Sequence, residues 1–296
     1  MQVIISPAKQ MRADSDAFAP RDIPPFPDKT DQILRALRAI ERDQGPRRLQ
    51  ALWGVSDRLL AENIERLHSF APIMDAGGLD DPALARLVAP AIFSYVGIQY
   101  QNMAPGVLHE RALAWLQEHL WILSGLYGCV RPFDAVQPYR LEMGAKLPVG
   151  EAKNLYTFWG DALARAVCGD PCATHPSAHR EAGDAASPEV SPAGDPDRES
   201  ACIVNLASVE YAKAVLPHLP KQLPVATCVF SSSLRNGKPV QKSTESKAAR
   251  GTMVRWMAEV GAKDPDDVKG FDVGFRFAPE LSNESGPRQT FVFMKR

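Results

Sequence analysis

The sequence lacks long hydrophobic runs, an excess of charge of either sign, and an even, closely spaced set of cysteines. No window reaches the ~18 consecutive apolar residues of a membrane span, and the first residues, MQVIISPAKQM, lack the basic start and long apolar run of a signal peptide. The 34 basic and 35 acidic residues give a net charge of -1, which excludes a histone-like polycation. Five scattered cysteines are typical of reduced thiols. We therefore expect a cytoplasmic protein without a membrane segment.

Charge is unevenly distributed along the chain. Residues 169–200 contain seven acidic residues, two basic residues and five prolines, with almost no large apolar side chains. Because such a segment cannot offset its chain entropy by burying apolar surface, we predict an acidic, Pro-rich, disordered insertion there, within a single domain spanning residues 1–296. Residues 201–296 contain 14 basic and nine acidic residues, so the positive charge is concentrated in the C-terminal third.

Apolar patterning predicts strands and helices in alternation. Strands are predicted at residues 3–5, 120–124, 203–206, 225–230, 271–277 and 290–294. Helices are predicted at residues 30–42, 56–70 (with Ser56 as N-cap), 109–119, 155–167, 208–215 and 245–260. Asn236-Gly237 is typical of a hairpin turn. Since the alternation has no regular βαβ rhythm, we expect an α+β fold in which helices surround a mixed sheet.

The densest group of functional residue types lies between residues 124 and 144. A buried strand is predicted to end at the start of this segment, and its glycines allow sharp turns in a loop of the kind where sheets bind ligands. The predicted pocket residues are Ser124, Gly125, Tyr127, Gly128, Arg131, Tyr139 and Arg140, and the candidate acid–base groups are Asp134, Glu142 and Tyr127. The alternative is a structural loop whose charged side chains pair with one another.

A second group of functional residue types is basic. It lies on and just before the predicted C-terminal helix and comprises Lys242, Lys247, Arg250 and Arg255. A Gly-containing turn and a short second helix at residues 264–268 follow, which is the order of a helix-hairpin-helix phosphate-binding element. Lys9, after the first strand, is a further candidate phosphate ligand or nucleophile. The alternatives are a solvated helix face and a surface lysine.

Metal and nucleophile signatures are weak. Cys168, Cys172, His175 and His179 have zinc-type side chains, but they lack the long loop that normally separates two ligand pairs. The remaining histidines have no visible nucleophile partner, so a hydrolytic triad is not supported. Cys129 is either a redox-sensitive thiol or a buried, inert one. We therefore predict no metal and no cofactor.

Six separate segments resemble the bacterial peroxide-stress protein YaaA family. They are ISPAK at 5–9, SGLYG at 124–128, Arg131-Pro132, QPYRLEMG at 137–144, Leu155-Tyr156 with Phe158-Trp-Gly-Asp161, and Asn205-Leu-Ala-Ser208 with Glu210-Tyr211, and the match runs in order to the C-terminal Phe291-Val-Phe. The resemblance covers the chain apart from residues 169–200. This sequence departs from the family pattern at Ala248, where a second lysine is usual, and at Val209, where an aspartate is usual.

The resemblance implies a single compact α+β fold peculiar to the family, with a helix-hairpin-helix-like element near the C-terminus. It implies a cytosolic protein that limits damage from hydrogen peroxide by keeping unincorporated iron low and that binds double-stranded DNA through a positive cleft. We expect the DNA-binding residues to be Lys247, Arg250, Arg255, Lys242, Lys9 and Arg131.

No enzymatic reaction follows from the resemblance, and we expect a protein that is not an enzyme. The alternative hypothesis is an enzyme or binder that acts on a nucleobase or nucleotide in the pocket at residues 124–144. Related domains occur beside enzymes that modify guanine-like bases, and this association keeps the alternative open.

Overall fold

Strands and helices form throughout the part of the chain that the computed structural model describes, residues 1–13, 18–169 and 202–296. The strands are β1 (Gln2–Ile5), β2 (Gln10–Met11), β3 (Ala89–Pro90), β4 (Tyr95–Val96), β5 (Leu120–Ser124), β6 (Gly128–Val130), β7 (Ala135–Val136), β8 (Ile203–Asn205), β9 (Val225–Ser231), β10 (Ser233–Arg235), β11 (Lys238–Val240), β12 (Phe275–Phe277) and β13 (Arg288–Lys295). The insertion predicted at residues 169–200 lies outside the described residues, apart from Gly169.

Helices cover the sheet. They are α1 (Pro27–Gln44), α2 (Pro46–Trp53), α3 (Asp57–Ser69), α4 (Pro82–Ala85), α5 (Ala91–Ser94), α6 (Ile98–Met103), α7 (Glu110–His119), α8 (Leu155–Trp159), α9 (Ala162–Val167), α10 (Val209–Ala212) and α11 (Ser243–Val260). Short 3-10 helices occur at Ala76–Asp80, Pro105–Val107, Leu216–His218, Pro265–Gly270 and Pro279–Leu281. No described helix is both long enough and apolar enough to cross a membrane.

A seven-stranded mixed sheet in the order β12-β13-β9-β8-β1-β5-β6 forms the centre of the fold. β13, β9, β8, β1 and β5 run parallel, and β12 and β6 are antiparallel strands at the two edges. In β1, Val3 pairs with Leu120 on one side and with Val204 on the other. Along the chain, β5 and β6 are therefore added on one side of β1, and the later strands β8, β9, β12 and β13 lie on the other side. The predicted mixed sheet surrounded by helices is confirmed.

Burial explains why β1 is apolar from Val3 to Ile5 and β5 from Leu120 to Leu123. Val3, Ile4 and Ile5 are fully buried, as expected for a parallel strand covered by helices on both faces. All five residues of β5 are buried as well. The carboxyl ends of these strands lie at the same end of the sheet. Because β5 is next to β1 on one side and β8 is next to it on the other, the strand order changes direction between β1 and β8. α/β sheets bind ligands in the crevice at such a point.

Some predicted helices are shorter than expected. The helix predicted at residues 155–167 is divided in two because Gly160 adopts a φ of 53°. The helix predicted at residues 208–215 is a single turn, and Ser56 occupies an N-cap position without a side-chain capping hydrogen bond. The second helix of the predicted helix-hairpin-helix, which follows α11, is the 3-10 helix Pro265–Gly270, and Asp264 caps it. The helix-hairpin-helix interpretation therefore stays a prediction.

Candidate functional site

A cavity of about 530 Å³ opens in the crevice outside the carboxyl ends of β1 and β8. The loops after β1 and β8, helix α6, residues 139–142 and the first half of α11 contribute its walls. Its charged lining residues are Lys9, Arg140, Glu142, Glu210, Lys247 and Arg250. Residues that the sequence assigned to a pocket and residues that it assigned to a DNA contact thus line the same cavity.

One side of the cavity carries an ion-pair network centred on Glu142. Its Oε1 lies 2.9 Å from Lys9 Nζ and 2.9 Å from Arg140 Nη2. Arg140 also donates from Nη1 to the Lys9 carbonyl at 3.2 Å, and its side chain is only 12% exposed, against 64% for Lys9. Arg140 is therefore a fixed part of the wall, whereas Lys9 stands at the open mouth. Oε2 of Glu142 makes no hydrogen bond to the described residues.

The hydroxyls of two tyrosines that line the cavity make hydrogen bonds inside the protein. Tyr139 exchanges hydrogen bonds with Ser124 Oγ at 2.7 Å and with the Tyr95 hydroxyl at 3.1 Å. Tyr100 donates its hydroxyl proton to the Ser6 carbonyl at 3.0 Å. Burial raises the pKa of Tyr139 to about 12. These phenols are therefore neutral near pH 7 and belong to the wall of the cavity.

The predicted glycine loop lies behind this wall. Ser124 Oγ accepts hydrogen bonds from Leu126 N and Tyr127 N, which holds the loop in a tight turn. A Cβ on Gly125 would lie 2.7 Å from the Leu141 carbonyl oxygen, so only glycine lets the loop approach residues 141–142 this closely. The loop therefore supports the cavity but contributes no lining side chain to it.

Two serines and a glutamate that the sequence analysis did not assign to the site connect its loops. Ser208 N donates to Ser6 Oγ at 2.8 Å, and the two hydroxyls lie 3.2 Å apart. Glu210 Oε1 accepts from Gly144 N at 2.8 Å. Ser6 directly follows the predicted strand at residues 3–5, and Ser208 and Glu210 lie in the first turn of the helix predicted after the strand at 203–206. Their place within the segments at residues 5–9 and 205–211, just beyond strand ends, was the signal that could have identified them.

The opposite wall is the basic face of α11. Arg250 is half-buried, its buried Nε has no hydrogen-bond partner among the described residues, and desolvation lowers its pKa. Lys247 lies one turn earlier and is exposed. Neither forms an ion pair with a described acidic residue. By contrast, Lys242 lies 3.8 Å from Glu245 and Arg255 lies 2.9 Å from Glu259, and neither lines the cavity. Only Lys247 and Arg250 of this basic group face the cavity.

Three sequence-predicted site residues lie away from the cavity. Arg131 stacks 3.7 Å from the centre of the Trp121 ring and donates to Gln2 Oε1 at 3.0 Å, at the amino ends of β1 and β5. Burial lowers its pKa to about 10. Asp134 accepts from Arg131 N at 2.7 Å, and the Tyr127 hydroxyl accepts from Gln137 N at 2.8 Å. The predicted pocket is therefore not a single site.

No metal cluster is found in the described part of the chain, and the candidate thiol of Cys129 is buried. No group of three or more His, Cys, Asp or Glu side chains is placed to hold a metal ion there, and of the zinc-type set only Cys168 is among the described residues. Cys129 lies in the edge strand β6 and is fully buried, and burial raises the pKa of its thiol. A thiol that stays protonated is a poor nucleophile, so the inert alternative fits Cys129 better.

Asp134 predicts a pH dependence of stability. Burial raises its pKa to about 8, far above the usual 3.8 of an aspartate. Between about pH 4 and pH 8 the folded protein keeps a proton that the unfolded chain releases, so the free energy of unfolding falls as pH rises, by at most about 1.4 kcal/mol per unit. We expect Asp134→Asn to remove this fall and to be the more stable protein at pH 8.

Urea denaturation at pH 5, 6.5 and 8 measures this dependence for both proteins. Glu65→Gln, on the exposed face of α3, is the matched control for the loss of one carboxylate. Parallel pH profiles for wild type and Asp134→Asn would show that the buried carboxyl ionises as freely as it does in the unfolded chain.

Comparison with known proteins identifies similar sequences along almost the whole chain. The profile of the family described as "Peroxide stress protein YaaA" matches residues 1–281. A UPF0246 protein of Agathobacter rectalis is 36% identical over 286 residues, which are 96% of each chain. A UPF0246 protein of Pediococcus pentosaceus is 38% identical over 293 residues, 99% of this chain and 98% of its own. One of Lactiplantibacillus plantarum is 39% identical over 272 residues, 92% and 91% of the two chains.

Proposed function

The chain belongs to the peroxide stress protein YaaA family, and from this premise we propose that it limits damage from hydrogen peroxide and unincorporated iron by binding double-stranded DNA. Lys9, Lys247 and Arg250 contact the phosphates. The observation that carries the proposal is the position of Lys247 and Arg250, which face the cavity without an acidic partner among the described residues. In this proposal the protein affects iron only indirectly.

Local charge supports the proposal even though the whole chain is nearly neutral. Four cationic and two acidic side chains line the cavity, so this face is positive in a protein whose net charge is -1. Cations without an acidic partner keep their full attraction for phosphate, because no competing ion pair has to break. Lys9 is paired to Glu142 but stands exposed at the mouth of the cavity, whereas Lys242 and Arg255 are paired to glutamates outside the cavity and contribute less. The contacts of Arg131 at the far end of the sheet keep it out of the interface.

The test is the affinity for a labelled duplex, measured by fluorescence anisotropy across a salt series. Three phosphate contacts correspond to a slope of log K against log salt of about -2.7, since each contact contributes about -0.9. Lys247→Ala/Arg250→Ala is expected to reduce the slope to about -0.9 and to weaken binding about tenfold at 100 mM salt.

Lys242→Ala/Arg255→Ala is the matched control, because it removes the same charge from the same helix outside the cavity. We expect it to change the affinity by no more than about threefold, as is usual when surface-paired charges are removed. Equal losses of affinity in the two double variants would mean that binding depends on the total charge of the helix and not on contacts in the cavity. Unchanged binding by Lys247→Ala/Arg250→Ala would overturn the assignment of these residues.

A further inference from the structure

The geometry of the cavity points to a more specific ligand than the DNA backbone. We propose that the cavity takes up one nucleotide extruded from a DNA strand, with its phosphate at Lys247 and Arg250 and its base against the carboxylates of Glu142 and Glu210. This inference rests on the proposed function, because the strand that supplies the nucleotide is held by the same cations.

Size is the first argument. A volume of about 530 Å³ is within the range of small-molecule pockets, and a duplex is far too wide to enter it. A bound duplex therefore reaches only the mouth, where its phosphates meet the exposed Lys9 and Lys247 and the half-buried Arg250. The inner walls, including the largely buried Arg140, are accessible only to a single nucleotide turned out of the helix.

Charge is the second argument. The four cations and two carboxylates that line the cavity leave a surplus of two positive charges, which suits a phosphate group. The two carboxylates, however, repel a ligand that carries only anionic groups. The lining therefore fits a ligand with both a phosphate and hydrogen-bond donors, and a nucleotide with an amino group on its base has both.

The orientation of the carboxylates makes this fit more specific. Glu142 uses Oε1 for Lys9 and Arg140, and Glu210 uses Oε1 for Gly144 N. The Oε2 atoms make no hydrogen bond to the described residues and are acceptors only. Cytosine presents an amino donor at its C4 position, whereas uracil presents a carbonyl oxygen there, which the carboxylates would repel. We therefore expect the cavity to prefer an amino-bearing base.

The aromatic walls are the third argument. Tyr100, Tyr139 and Tyr211 are among the residues that line the cavity, all three are buried in its wall, and the hydroxyls of Tyr100 and Tyr139 make hydrogen bonds inside the protein. Rings of this kind bind any base by stacking, which is the usual way in which proteins hold unpaired nucleotides. Stacking then supplies affinity for a base, and the carboxylates supply the choice between bases.

Three duplexes of one sequence test the inference by anisotropy. The first is fully paired, the second has one cytosine opposite a tetrahydrofuran abasic site, and the third has tetrahydrofuran in both strands at that position. We expect the unpaired cytosine to be bound about tenfold more tightly than either of the others, because it requires no base pair to be broken and still offers a base.

The outcomes separate this inference from the proposed function. If all three duplexes bound with equal affinity and the binding depended on salt, the uptake of an extruded nucleotide would be refuted, and the proposed binding of duplex DNA would remain. Equal affinity for the second and third duplexes, both above the first, would mean that the protein recognises a flexible duplex and no base, which also overturns it. Failure to bind any of the three at low salt would overturn the proposed function and this inference together.

The carboxylates are tested by replacing the unpaired cytosine with uracil. Wild type is expected to prefer cytosine about tenfold, and Glu210→Gln, which keeps an acceptor for Gly144 N, is expected to lower that ratio to about one. The ratio is measured within each variant, so a general loss of affinity does not affect it. An unchanged ratio in both Glu210→Gln and Glu142→Gln would overturn the role of the carboxylates.

Competition by free deoxycytidine monophosphate tests whether the nucleotide in the cavity comes from a DNA strand or from solution. We expect it to compete for the unpaired-cytosine duplex only at millimolar concentration, because it lacks the flanking phosphates. Micromolar competition, together with no preference for the unpaired duplex, would assign the cavity to a free nucleotide and overturn the extruded one.

Discussion

Replacing Gly251 by alanine is expected to lower the free energy of unfolding by about 3 kcal/mol, even though alanine is the better helix former by about 1 kcal/mol. Gly251 lies in α11 where this helix crosses α6. A Cβ at this position would overlap the carbonyl group of Gln99 and approach Met103 N to 3.1 Å. Both contacts are backbone atoms of another helix, which cannot turn aside as a flexible side chain can. One helix therefore has to move.

Urea denaturation measures the loss, and DNA binding gives a second readout. Lys247 and Arg250 lie within one turn of Gly251, so a displaced α11 should also weaken duplex binding. Gly270→Ala is the matched control, because a Cβ there would meet only the Trp256 ring, at 3.7 Å, which is an ordinary contact. If the two variants unfolded at the same urea concentration, the close crossing of α11 and α6 would be refuted.

The second large effect is expected at Gly125, where alanine should reduce the free energy of unfolding by about 2 to 3 kcal/mol. The added Cβ would lie 2.7 Å from the Leu141 oxygen and 3.1 Å from the Glu142 carbonyl carbon. Relief requires the backbone of residues 139–142 to shift, and this segment holds Arg140 and Glu142 in the cavity wall. The preference for an unpaired cytosine should fall together with stability.

Gly106→Ala provides the comparison for Gly125→Ala, since a Cβ on Gly106 meets no atom within 4 Å. We expect its unfolding midpoint in urea to match that of wild type to within the error of the measurement. A Gly125→Ala protein that is as stable as Gly106→Ala would mean that the loop at residues 124–128 does not pack against residues 141–142.

The sequence predicted the central strands well because their signal is local. Val3, Ile4 and Ile5 form an uninterrupted apolar run, as do residues 120–123 of β5, and a parallel strand buried on both faces requires such a run. The helix at residues 155–167 was predicted in one piece because its apolar spacing continues past Gly160. The break depends on a positive φ at that glycine, which spacing alone does not reveal.

The site was predicted in pieces and not as a whole. Lys9, Glu142 and Lys247 were each named, but they were divided between a pocket and a DNA contact because more than a hundred residues separate each from the next. Arg131 and Asp134 were assigned to the pocket because they closely follow Ser124 in sequence. β6, however, runs antiparallel to β5 and takes the chain back along the sheet. Both residues therefore lie near the amino ends of β1 and β5, and the cavity lies at the carboxyl ends. Sequence proximity does not show this reversal.

The central position of β1 also has a consequence for folding during synthesis. Residues 2–5 are the first part of the sheet to be made, but their partners are Leu120–Ile122 and Ile203–Asn205. At translation rates of about 5 to 20 residues per second, this strand waits about 6 to 24 seconds for its first neighbour and nearly twice as long for its second. Three large apolar side chains meanwhile stay unpaired in the nascent chain, so chaperones that bind short hydrophobic segments have both a target and the time to bind it.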